Sequence, residues 1–429
     1  MHRWTRLAVL VVGFSARAVD LPMEEGERLA LAALGDAGYR SDVRGIELAR
    51  DRIAAAIADG ATAPREYRIA LAEWLLSNAS MADPPAALSA AERSKEHLDR
   101  ALELDPSYAQ AYALASRVTF ALTGLGKGDR KQAYAEMNGQ WKKAMELGPD
   151  VPEVILADAV MLTYAPAPAG GDPARGRARF HEGIGRLELA AAFSPEAALW
   201  RPMAWSWLGM AFLYSGDMLL AREAFEHALA LRPDYAQVRD ALLPMTDVVD
   251  GGRVPDPAKR KWLPLVEDPA GDGRQKAPDL LRAAWSTDAP SGMLFVRIDL
   301  ETPADPAALG VNVAFDTDGD AATGAPWWAG NTGFNYDRLA TVWVARGSDG
   351  RLRGTAGVTD ARGGAEGRFT SLSRGVTFAL FEDNRVIVIG VPLDSLGAAR
   401  RLRAVVTVGS NTMWNDTAPD AGSARLDLP

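Results

Sequence analysis

The chain has 429 residues and a formal net charge of −9, a length that calls for two domains or more. That charge argues against nucleic acid as a partner, because gripping phosphates needs a positive field. It has no cysteine, which excludes disulfides, thiolate metal sites and thiol redox chemistry.

Residues 1–18 read as an export signal. Met1 to Arg6 is basic, Leu7 to Phe14 is a short apolar run, and Ala16-Arg17-Ala18 supplies the small residues of a cleavage site. The run is too short to span a bilayer, and a buried N-terminal helix is the alternative. A periplasmic or secreted location is therefore expected. No later stretch is long and apolar enough to cross a membrane.

Residues 19–245 carry helical periodicity. Ser41 to Ala58 places Val43, Ile46, Leu48, Ile53, Ala56 and Ile57 mostly on one side. Tyr67 to Leu76 is a second helix. The clearest stretch is Ala204 to Tyr235. Trp205, Leu208 and Phe212 share one helical face, Ser215-Gly216-Asp217 breaks that helix, and Ala221, Phe225 and Ala228 mark the next. Pro233 ends it. Gly209 and Ala221 are small where the two helices must approach. Such a hairpin cannot bury its apolar faces alone and requires stacked neighbours.

Trp205, Leu208, Gly209, Phe212, Ala221, Phe225, Ala228 and Pro233, in that order, resemble the tetratricopeptide repeat. Degraded endings of the same kind recur at Leu98, Ala101, Pro106, at Trp141, Ala144, Pro149, and at Leu187, Ala190, Pro195. The extra length between them falls in Met81–Pro85, Thr123–Asp129 and Ala165–Gly176, which either rim a concave face or are tolerated insertions. The resemblance implies an α-solenoid whose groove holds a protein or peptide partner.

Residues 246–278 are rich in proline, glycine and charge and read as a linker, with Trp262, Leu263 and Leu265 able to tack it onto either side. Residues 279–429 change to alternation. Strands are expected at Met293–Leu300, around Val311, Val313 and Phe315, and at Leu339–Val344 and Leu352–Val358. Further strands are expected at Val376–Phe381, Arg385–Val391 and Leu402–Val408. Glu382-Asp383-Asn384 is a hairpin turn and Asp394 to Ala398 a short helical turn. The fold class is thus multidomain α and β, an α-solenoid of helix pairs followed by an antiparallel β-sandwich.

One loop suggests chemistry. Asp316, Asp318 and Asp320 alternate at a strand end, with Gly319 and Gly324 able to turn the backbone inward and Asn335 or Asp337 to add oxygens. Carboxylates so placed suit calcium, which takes six to eight oxygens. A solvated turn capped by its own aspartates is the alternative. The loop is no EF-hand, since the sixth-position glycine and closing glutamate are absent.

The order LLRAAWSTDAPSGMLFVRIDL, VAFDTDGDAATG, FNYDRL, VIVIGVPLDSLG and NDTAPDAG is similar to DOMON-like sandwich domains, including family-nine-type carbohydrate-binding modules. That resemblance implies a non-catalytic, often calcium-stabilised module. By the same analogy Trp327, Trp328 and Trp414 would form a stacking platform for glycan, with Asn331, Asn411 and Asp416 as polar partners. The paired Trp327-Trp328 departs from the pattern, and filling the core is the alternative role. Enzymatic motifs are lacking: of four histidines one lies in the signal, His97, His181 and His227 sit on helices, and no nucleophile elbow or phosphate-cradling loop occurs. The expected function is an exported, non-catalytic binding or scaffold protein. The alternatives are a helical auxiliary component of a periplasmic solute-uptake system, which implies a closed ring with a pocket, and an accessory of a glycan-degrading system.

Overall fold

The computed structural model describes residues 25–56, 60–81, 83–165, 167, 170–274, 278–320, 322–327, 329, 333–363, 368–373, 375–410 and 413–428. The export-signal residues 1–18 lie outside that set, as do Trp328, Asn331 and Asn411.

Ten α-helices come first among the described residues. They are α1 Glu25–Tyr39, α2 Val43–Ala56, α3 Ala63–Ala79, α4 Pro84–Leu104, α5 Ala109–Gly124, α6 Arg130–Leu147, α7 Pro152–Tyr164, α8 Pro173–Ala190, α9 Pro195–Tyr214 and α10 Met218–Leu231. Each odd-numbered helix pairs with the even-numbered one after it. The turn into each of the last four even-numbered helices is fixed the same way. Asp83, Asp129, Asp172 and Asp217 stand at the N-caps of α4, α6, α8 and α10 and accept from the backbone N–H three residues on, satisfying an otherwise orphaned donor. The prolines act as expected beyond α4, α6 and α10, and Pro195 also opens α9 at a position where its missing N–H costs nothing.

The odd-numbered helices form the inner layer. α1 touches α3, α3 touches α5, α5 touches α7, α7 touches α9, and α9 returns to α1. The array therefore closes on itself. At the closure the Tyr39 hydroxyl donates to the carbonyl of Leu199, and a Cβ placed on Gly35 would meet the Leu199 side chain at 3.7 Å. Arg68 bridges Glu27 of α1 at 2.6 Å and Glu196 of α9 at 2.7 Å. Arg232, just past α10, reaches Asp36 at 2.6 Å and lies over the Tyr39 ring at 4.8 Å. Leu31, Leu34, Leu71, Leu98, Phe180, Leu208 and Phe225 meet in one buried cluster.

Strands follow: β1 Leu263–Glu267, β2 Leu280–Asp288, β3 Met293–Leu300, β4 Ala308–Asp316, β5 Ala325–Pro326, β6 Asn335–Tyr336, β7 Arg338–Arg346, β8 Leu352–Gly363, β9 Arg368–Ser373, β10 Thr377–Phe381, β11 Val386–Pro392, β12 Arg401–Gly409, β13 Trp414–Ala418 and β14 Ala424–Asp427. One sheet runs β1-β2-β3-β11-β10 and the other β13-β12-β4-β7-β8-β9, with β14 also on β12, all antiparallel. Leu294, Val296, Ile298 and Leu300 of β3 meet Val311, Val313 and Phe315 of β4 in the core between the sheets. The β10–β11 turn holds Glu382, Asp383 and Asn384 at φ 51°, 53° and 66°. Asn and Asp tolerate that left-handed region better than most residues.

The described residues of the 246–278 segment contribute structure to the strand half. β1 pairs with β2, Val248 bridges Arg353, the N–H of Val249 donates to Leu352, and Trp262 packs with Phe295 on the outer face of the first sheet. On the helical side, Ala345 and Trp343 of β7 join the helical core, and a Cβ placed on Gly216 would meet Ala345 at 3.9 Å. Arg222 of α10 reaches Asp247 at 3.1 Å.

A side chain at Gly209 would collide with the Phe225 ring. Gly209→Val should therefore destabilise the helical half by roughly 1–3 kcal/mol, read as a lower denaturation midpoint of the helical circular-dichroism signal. A midpoint equal to wild type would contradict the α9–α10 packing.

Candidate functional site

The acidic loop follows β4 and is held by backbone amides. Asp316 is buried and accepts from the N–H of Gly319 at 2.7 Å and of Asp318 at 3.2 Å, while Arg403 of the neighbouring β12 donates to its other oxygen. Asp337, also buried, accepts from the Thr317 N–H at 2.7 Å and hydroxyl at 2.9 Å. Asp318 accepts from Thr323 and from the N–H of Asp320. Gly324, at φ 77°, lies so close to the Tyr336 carbonyl that a Cβ would clash. The result brings one oxygen each of Asp316, Asp318 and Asp337 within 4.8 Å of one another. Asp320 is outside that set and caps the N–H of Ala322 instead. Both sequence readings thus have a counterpart here: the carboxylates cap their own turn, and three converge, with the Arg403 guanidinium on Asp316 and the charges of Arg338 and Arg362 near Asp318 and Asp337. Hard oxygen donors of this kind fit calcium in type.

The aromatic platform is corrected in part. Trp327 is buried, its indole N–H donates to the carbonyl of Ala329 at 2.7 Å, and its ring packs edge-on against Tyr336 at 5.5 Å. It fills the small core between β5, β6 and the second sheet. A ring enclosed in this way offers no face to a sugar. Asp416 is buried too, accepting from the N–H of Leu280 at 2.7 Å and of Thr417 at 2.8 Å, so its oxygens serve the chain and not a glycan. Trp414 is half-buried and carries the Arg274 guanidinium over its ring at 4.5 Å.

Trp414 instead lines a cleft of about 340 Å³ between the two halves. The helical side supplies Met210, Leu213 and Tyr214 of α9 with Leu242 and Met245, and the sandwich supplies Trp343, Met413 and Trp414. Ser410, Asn312 and Thr407 add polar atoms. Tyr214 and Met413 stay exposed, at 45% and 47%. Ligand sites favour such junctions, and methionine beside aromatic rings adapts to varied apolar surfaces. Sequence reasoning reached Trp414 alone, because nothing local says that α9 and β7 will meet.

A second acidic group was also missed. Asp268 and Asp272 after β1 and Asp416 of β13 bring oxygens within 4.8 Å, from positions distant in the chain. Burial, reinforced by the charges of Asp416, Asp272, Asp420 and Asp279, pushes the Asp268 carboxyl up to about 8. One of its oxygens is shielded from solvent without a hydrogen-bond partner.

No family model and no curated protein matches the chain. Among solved structures it is similar to a thermophilic TPR protein from Thermus thermophilus, at 17% identity over 50% of this chain and 95% of that one, with a TM-score of 0.33. A likeness this remote carries no argument about function.

Because the folded Asp268 holds its proton to about pH 8 while the unfolded carboxyl loses it near ~3.9, its contribution to stability is intact below the lower value. It is lost as pH rises through the higher one. In chelator, wild type should lose melting temperature relative to Asp268→Asn as pH rises across that window. A difference between the two that is constant with pH would refute the shift.

Proposed function

We propose that this is an exported, non-catalytic binding protein that engages a protein or peptide partner at the cleft between its helical and strand halves. The observation that supports the reading is the cleft itself, lined by Met210, Tyr214, Met245, Trp343, Met413 and Trp414. Aromatic and methionine side chains are the types that anchor a partner's apolar groups, with a polar rim to fix register. An extended groove along the inner helices is a weaker candidate, since α9 packs across that side onto α1 and α3.

The same closure favours a second reading, a helical auxiliary component of solute uptake. Such a component calls for an enclosed ring with a pocket, and a cavity of about 410 Å³ lies between α1, α3 and α9. Calcium at Asp316, Asp318 and Asp337 would serve in either reading to stiffen the β4–β5 loop. Glycan binding loses Trp327 as a stacking face and retains only Trp414 among the described residues.

A photo-crosslinking side chain at Met413 should capture discrete partners from a cell-envelope extract, and Trp343→Ala with Trp414→Ala should abolish those same products. Products that survive the double substitution would remove the cleft from consideration. For calcium, millimolar ion should raise the melting temperature of the full chain, and Asp318→Asn should cancel most of the gain. Equal melts in calcium and in chelator would exclude it.

A further inference from the structure

The inside of the helical ring contains a cation with no counter-ion among the described residues. Arg117 sits midway along α5, and its guanidinium lies over the Trp207 ring at 3.8 Å and over Trp200 at 6.0 Å. Among the described residues no carboxylate pairs with it, and its Nη2 is shielded from solvent without a hydrogen-bond partner. The side chain is nonetheless not sealed in, since Arg117 and Trp207 both keep partial solvent contact. Trp207, the ring beneath the guanidinium, is also a wall of a cavity inside the helical half.

Its neighbours are short of partners too. The Tyr67 hydroxyl and the Trp200 indole N–H, both inside the ring, face one another without a well-formed hydrogen bond. Leaving a buried donor unmade costs about 1–3 kcal/mol, and the Arg117 Nη2 is such a donor. Trp200 packs on Trp74 and on Trp207 at 5.7 Å each. Trp74 and Trp207 are also walls of the 410 Å³ cavity between α1, α3 and α9. Desolvation lowers the Arg117 pKa to about 10, which leaves it a cation at neutral pH.

The other acids of the interior do not quench it. Glu196 and Glu27 are taken by Arg68. Glu153, at the first turn of α7, is raised to about 7 by burial and lies with Glu196 at the N-terminal ends of the inner helices.

We propose that the helical ring binds a small organic monocarboxylate, its carboxylate at the solvent-touched part of the Arg117 guanidinium and its apolar body against Trp207 and Trp74, which wall the cavity. A guanidinium fork matches a carboxylate. With no second free cation beside it among the described residues, one arginine suits a single negative charge rather than a phosphate dianion. The tryptophan walls and a cavity at the small end of the ligand-pocket range select an apolar body of modest size. The cavity shares Met210 with the cleft between the halves, while Arg117, Trp74 and Trp207 take no part in that cleft, so either site can fail without the other.

The test uses the full chain with benzoate and hexanoate as probes, and with benzamide and inorganic phosphate as controls, read by calorimetry and melting temperature. At least one carboxylate should bind saturably, while benzamide and phosphate should not. Arg117→Met should lose roughly tenfold or more in affinity, and its ligand-free melting temperature should match or exceed wild type, because an unpaired buried charge is removed. Arg117→Lys, which keeps the charge and loses the fork, should bind more weakly than wild type and still bind. Absence of carboxylate binding by wild type, or equal affinity in wild type and either variant, would overturn the proposal. So would a lower ligand-free melt of Arg117→Met together with unchanged binding by Arg117→Lys, which would make the residue structural.

Discussion

The helical half depends on the packing of α1 against α9. Stacked helix pairs always leave an apolar face at each end, and the usual remedy is a polar cap. Here the two ends cover one another. Gly35 admits the Leu199 side chain, Tyr39 bonds the Leu199 carbonyl, and Arg68 ties Glu27 to Glu196 across the junction. Each joins parts of the chain that lie at opposite ends of the array. Once they form, the inner helices face each other, and Trp74, Trp200, Trp207 and Arg117 become an interior.

The strand half builds on that frame at the α9–α10 end. Trp343 and Ala345 leave the sandwich to join the helical core, and the chain after α10 runs along β8 before it reaches β1. The cleft follows from an incomplete match of two curved surfaces: the helical end offers methionine and tyrosine, the sheet edge offers tryptophan, and the space between is not filled.

The repeat logic and most strands were legible because they are local. Leu208, Gly209, Phe225 and Pro233 state a helix hairpin within one window, and Leu294 to Leu300 alternate without interruption. Asp217 was legible as a helix start within that hairpin, whereas Asp83, Asp129 and Asp172 lay in stretches that read only as loops. What could not be read is what closure creates. Arg117 in a helix of alanines reads as a solvent-facing residue until α9 folds across it. Trp327 and Trp414 look alike in sequence, yet a two-stranded flap buries the first and leaves the second at a junction. Asp268 reads as one more surface acid, and only the approach of β13 to β2 puts Asp416 beside it.

A closed ring also restricts how the chain can change over evolutionary time. Open arrays grow and shrink by whole hairpins, since each added unit needs only one neighbour. Here an inserted or deleted pair would carry Leu199 away from Tyr39 and expose both ends at once. The surface loops between Met81 and Gly176 remain free to lengthen, while the number of hairpins is pinned.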